Sequence, residues 1–147
     1  MNRRSLLAGA VALAGFPAHA QQPQRPSQRT PAPANARVYI IAPAEGATVQ
    51  SPFLVQFGLS GIGVAPAGVE RESTGHHHLL INVDPAQMNM DDPIPVDATH
   101  VHFGGGQTEA MVTLPAGTYT LRLMLADAFH IPHNPPIVSA PVRVTVR

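Results

Sequence analysis

Gly75-His76-His77-His78-Leu79-Leu80-Ile81-Asn82-Val83 decides how this chain reads. Three histidines run straight into an apolar, β-branched stretch that has the composition of a strand. In a strand, residues two apart share a face and lie about 6.5–7 Å apart. His76, His78 and Leu80 therefore fall on one face. His77, Leu79, Ile81 and Val83 fall on the other, which is the apolar one, so His77 is expected to be structural and buried. The remaining question is which other residues reach the His76–His78 face.

Working outward, the same alternation recurs. Residues 53–59 place Phe53, Val55 and Phe57 on one face, and residues 118–127 place Tyr119, Leu121, Leu123 and Leu125 on one face. Further strands are expected over residues 37–42, 99–103, 107–114 and 142–146. Pro43-Ala44-Glu45-Gly46, Gly104-Gly105-Gly106 and Pro115-Ala116-Gly117 are turn signals between them. Residues 60–75 and 128–139 read as long loops. No run has a helical period of useful length. About seven short strands separated by turns predict an all-β domain, an immunoglobulin-like β-sandwich, over residues 37–147. A small jelly roll or barrel is the alternative.

Before that domain come two segments of other character. Residues 1–20 read as a signal peptide. Arg3 and Arg4 are basic, residues 6–16 are apolar but too short to span a bilayer, and Ala18-His19-Ala20 is a small-x-small cleavage site. Asn2-Arg3-Arg4-Ser5-Leu6-Leu7 also resembles a twin-arginine export signal. Either route leads to a periplasmic or secreted protein. Residues 21–36, with Pro23, Pro26, Pro31 and Pro33, read as a disordered Pro/Gln-rich linker.

Composition limits the chemistry. The 147 residues suffice for one domain with a core, and the formal net charge is zero. There is no Lys, and the nine Arg are scattered. That is neither a nucleic-acid footprint nor a polybasic membrane anchor. Cys is absent, so no thiolate can act as nucleophile or ligand, and a metal must be held by His, carboxylate, Met or backbone oxygen.

Seven of the eight histidines lie between positions 76 and 133. His100 and His102 form a second His-x-His pair, whose geometry suits two imidazoles on one transition metal. Glu109 follows the Gly-rich turn. Asp127 and His130 sit at the end of the longest strand, where sandwich loops gather. The candidate metal set is thus His76, His78, His100, His102, Glu109, Asp127 and His130, with copper or zinc as the ion. Met88 and Met90 suit soft Cu(I), but two apolar loop residues is the plainer reading. A metal-free network of imidazoles holding loops together, or binding a small polar ligand, is the competing reading.

Named catalytic patterns fit poorly. His100-Val101-His102 resembles a copper-binding strand of copper/zinc superoxide dismutases, without that family's downstream His and Cys. The spacing from His102 to Glu109 is too long for a cupin. Ser73 lacks the strained turn of a hydrolase nucleophile.

Taken together, Ser73-Thr74-Gly75-His76-His77-His78-Leu79-Leu80-Ile81, His102-Phe103-Gly104-Gly105-Gly106-Gln107-Thr108-Glu109 and Asp127-x-x-His130-x-Pro132-His133-x-Pro135-Pro136 resemble the bacterial family termed domain of unknown function 4399. The resemblance covers residues 38–146 and implies an exported β domain. Asn82 stands where the family pattern has Asp, and Tyr119-Thr120-Leu121 where it has His-Thr-Leu. The expected function is a periplasmic, non-enzymatic binding module for a transition metal. The alternative is a metal-free structural domain contacting an envelope protein, and a metal-dependent enzyme is the weakest option.

Overall fold

The computed structural model describes residues 28–147. The expected signal peptide and residues 21–27 of the expected linker lie outside the described residues. From there the chain forms β1 (Arg37–Ala42), β2 (Ala47–Val49), β3 (Phe53–Ser60), β4 (Gly63–Val64), β5 (Thr74–Ile81), β6 (His100–Phe103), β7 (Glu109–Val112), β8 (Gly117–Ala126), β9 (Pro132–Val138) and β10 (Val142–Val146). A 3-10 turn, Pro85–Gln87, is capped by the Asp84 carboxylate, which accepts from the Ala86 amide. Among the described residues, no helix is long and apolar enough to cross a membrane.

The strands build two sheets, the sandwich that the alternation predicts. One has the order β1-β3-β7. The other has the order β2-β10-β8-β5, with β4 and β6 both along the far edge of β5 and β9 beside β8. Between the sheets, Val38, Phe53, Val55, Phe57 and Val112 meet Leu79, Ile81, Phe103, Leu121, Leu123, Leu125, Val144 and Val146. Each such side chain contributes about 1.5–3 kcal/mol relative to leaving it in water.

β5 is buried on both faces. Its inner residues, His77, Leu79 and Ile81, follow the alternation into the core, where the His77 ring packs on Phe57 with centroids 5.1 Å apart. Its outer face is covered by a second, smaller apolar group of Leu80, Ile94, Met124 and Ala126, with Met88, Met90, Val83 and Val138 against it. The segment between β5 and β6 therefore folds back over the sheet instead of leaving it to solvent.

Two parts of the chain are more ordered than their composition suggests. Residues 132–138, expected as loop, form β9. This strand is an edge strand paired to β8 at Pro132, Ile137 and Val138, with a register shift between, and an edge is where a sheet accommodates proline. Residues 29–36, expected as linker, run beside it. The Ala32 amide donates to the Asn134 carbonyl, the Asn134 amide donates to the Thr30 carbonyl, and the Arg29 guanidinium donates to the carbonyls of Pro132 and His133. Pro-rich sequence lacks donors of its own, but its carbonyls remain available to a neighbouring edge.

Gly75, next to His76, is a point of close approach. A Cβ there would lie 2.7 Å from the Ala126 carbonyl oxygen and 2.9 Å from the His133 ring. Gly75→Ala should lower unfolding free energy by about 1–3 kcal/mol through overpacking, measured as a lower denaturation midpoint at unchanged m-value.

Candidate metal centre

Strand register assembles the site. On β5, His76 and His78 are adjacent same-face residues. His78 is paired with His102 of β6 on one side and with Met124 of β8 on the other. His76 is paired with Ala126, the last residue of β8, after which the chain turns into residues 127–131. That turn returns His130 over the same face.

Four imidazoles meet there. Ring centroids are 4.9 Å apart for His76 and His78, 5.0 Å for His76 and His102, and 5.0 Å for His76 and His130. They are 5.0 Å apart for His78 and His102, 6.1 Å for His78 and His130, and 4.7 Å for His102 and His130. Ring nitrogens of His76, His102 and His130 lie within 4.8 Å of one another, a group that could hold a metal ion. The Nε2 atoms of His76 and His78 are 3.0 Å apart, so one ring donates its proton and the other accepts. His76 and His78 form a buried floor, while His102 and His130 are half-buried and face the opening.

The second half of the site is held by backbone. His130 has φ +66°, the left-handed region, which costs a non-glycine residue about 1 kcal/mol or more. Asp127 holds the turn in place. Its Oδ1 accepts from the Phe129 and Ile131 amides and its Oδ2 from the Thr30 hydroxyl. The His130 carbonyl accepts from the Ile94 amide at 2.8 Å, tying the turn to the covering segment. Gly104 is needed for close approach, because a Cβ there would lie 2.3 Å from the His102 ring.

The other expected candidates stand elsewhere. His100 shares the His102 face but is paired one step along, with Leu80. Its Nδ1 is 2.9 Å from Asp97 Oδ1, and it lines a cavity of about 300 Å³ with Met88, Asn89, Asp92 and Ile94. Beside it, the His100 ring and the Thr99 hydroxyl hold the Asp97 carboxyl well below the usual range. Glu109 is exposed on β7, in the opposite sheet, where it accepts from Gln56. Asp127 gives both oxygens to the turn. His133 is buried in β9, where its Nε2 lies 3.3 Å from the Thr74 carbonyl. The roles of Thr30 and Ile94 are not apparent in the sequence, since a hydroxyl in a Pro-rich arm and a backbone amide carry no signature.

Burial and crowding disfavour the charged form of His76, His78 and His102. Burial, then the neighbouring His130 and His102, lower the His76 pKa to about 4, with Asp127 opposing. Burial, then His76, His102 and His130, lower His78 to about 2. His77 is lowered to about 4 by burial, against the bond to the Gln107 carbonyl. His102 is lowered by burial and His130, and His133 chiefly by burial. Neutral imidazole is the form that ligates a cation. Several buried ring nitrogens also have no hydrogen-bond partner, among them His76 Nδ1, His78 Nδ1 and His102 Nε2. Each such group ordinarily costs about 1–3 kcal/mol.

A family model described as a domain of unknown function (DUF4399) matches residues 55–147, which include all four rings. No curated protein and no solved structure matches the chain.

The depressed histidines make stability pH-dependent. Their folded pKa values lie below the unfolded 6.5, so the unfolded chain binds more protons between about pH 6.5 and 4. Stability is complete above that window and falls as pH drops through it, by on the order of 2 kcal/mol per histidine. Urea midpoints of metal-free protein should be level from pH 7 to 8 and decline steadily from pH 6.5 to 4. A level midpoint across that window would contradict the neutral cluster.

Proposed function

The chain belongs to the domain of unknown function 4399 family, and we propose that it is an exported, non-enzymatic module that binds a transition metal, copper or zinc, through His76, His78, His102 and His130. The observation that carries this reading is the convergence of four imidazoles from three separate parts of the chain, three of which, His76, His102 and His130, present ring nitrogens within 4.8 Å of one another. A tetrahedral ion with metal–nitrogen bonds of about 2.0–2.1 Å places its ligand atoms about 3.3 Å apart. The 3.0 Å between the His76 and His78 Nε2 atoms is close to that bite. A cation can also give a partner to His102 Nε2, which otherwise has none and is costly to bury unpaired. Asp127 acts by positioning His130, as an outer carboxylate orients a ligand loop. His100 and Glu109 are outside the ligand set.

The expected signal at residues 1–20 places the module in the periplasm or outside the cell, and residues 21–27 then connect it to the processed end. An envelope protein that receives the metal is a partner of the expected kind.

Apo protein prepared without a polyhistidine tag should take up one equivalent of Cu or Zn. Ligand at about 1,000 times Kd should then stabilise it by about 4 kcal/mol. His130→Gly is the informative variant. Glycine relieves the left-handed backbone, offsetting its extra freedom when unfolded. Stability without metal should stay within about 1 kcal/mol of the parent. Affinity should fall at least 100-fold, about 2.7 kcal/mol. His100→Ala should change affinity less than about threefold. Calorimetric titration of the three proteins checks this, and equal affinity in parent and His130→Gly would sink the assignment.

A further inference from the structure

The four rings differ from a planar site in a way that can be read from their separations. In a square, two of the six separations are diagonals, longer than the sides by a factor of about 1.4. Here the longest separation is His78–His130 at 6.1 Å, and the pair that would form the other diagonal, His76–His102, is at 5.0 Å, no longer than the sides. The arrangement is tetrahedral in kind. Cu(II) prefers a tetragonal plane, whereas Zn(II) and Cu(I) accept a tetrahedron.

Charge separates those two. All four rings are uncharged ligands. Asp127, the buried carboxylate nearest in the chain, has both oxygens committed to the Phe129 and Ile131 amides and the Thr30 hydroxyl. A divalent ion on four neutral ligands would keep its full double charge against the buried floor of His76 and His78. The cost of burying an ion grows with the square of its charge, so a monovalent ion suffers far less. The sheet beside His78 is apolar. Met124 is fully buried and pairs directly with His78, and Ile94, Met88 and Met90 pack on the same group. An apolar wall of this kind raises the cost of the higher charge.

We infer that the site selects copper in the cuprous state, Cu(I), over Zn(II) and Cu(II), an assignment that rests on the metal-binding reading above. The mature chain, purified without a polyhistidine tag, is titrated at one pH against chelators of known affinity for each ion, the cuprous series without oxygen. Cu(I) is expected to bind at least 100-fold more tightly than either Zn(II) or Cu(II). A Kd for Cu(I) 100-fold below that for Cu(II) also raises the potential of the bound copper above that of the free ion pair, which gives a second readout of the same preference. Zn(II) or Cu(II) binding within 100-fold of Cu(I) overturns the cuprous assignment and leaves the four-histidine metal site standing. Failure of all three ions to bind overturns both.

Discussion

The register of β5 between β6 and β8 is the constraint on which the rest depends. Leu79 and Ile81 face Leu123 and Leu121 across the inner side of the sheet, and this apolar match holds the strand in place. Because side chains alternate, a slip of one residue would exchange the two faces. His76 and His78 would enter the sandwich core, and His77 would leave it. Burial of leucine and isoleucine on one side thereby sets the direction of two imidazoles on the other.

A second constraint acts through backbone rather than side-chain packing. His130 reaches the rings from a strained turn that persists because Asp127 satisfies two of its amides and Ile94 donates to its carbonyl. Thr30 joins the same carboxylate from the N-terminal arm. Two distant stretches, at Thr30 and Ile94, thus help the turn hold one ring. The energetic tension is plain: several imidazoles are gathered in a dry place, crowding one another and leaving ring nitrogens without partners. Proteins concentrate such unfavourable features at sites where a ligand relieves them.

The legible part of the fold was the part with a period. Alternation in β3, β5 and β8 announces the sandwich, and by itself it separates His77 from His76 and His78. β9 was hidden by its prolines, which suggest a loop unless an edge position is known. The order in residues 29–36 was hidden because it depends on β9. His100 shows the limit of face assignment: it shares a face with His102, but pairing one step along leaves it beside Asp97. Glu109 is seven residues past His102 in sequence, yet β7 crosses to the opposite sheet.

By itself, the sequence determined which histidines could share a face, because a two-residue period is a local property of the extended backbone. It also determined that a metal, if held, would meet imidazole and not thiolate. Only the tertiary structure decided which faces meet. Strand order put β6 beside β5, the turn after β8 brought His130 in, and the same topology took Glu109 away. These are long-range pairings, set by how the whole apolar surface is buried at once, and no local pattern records them.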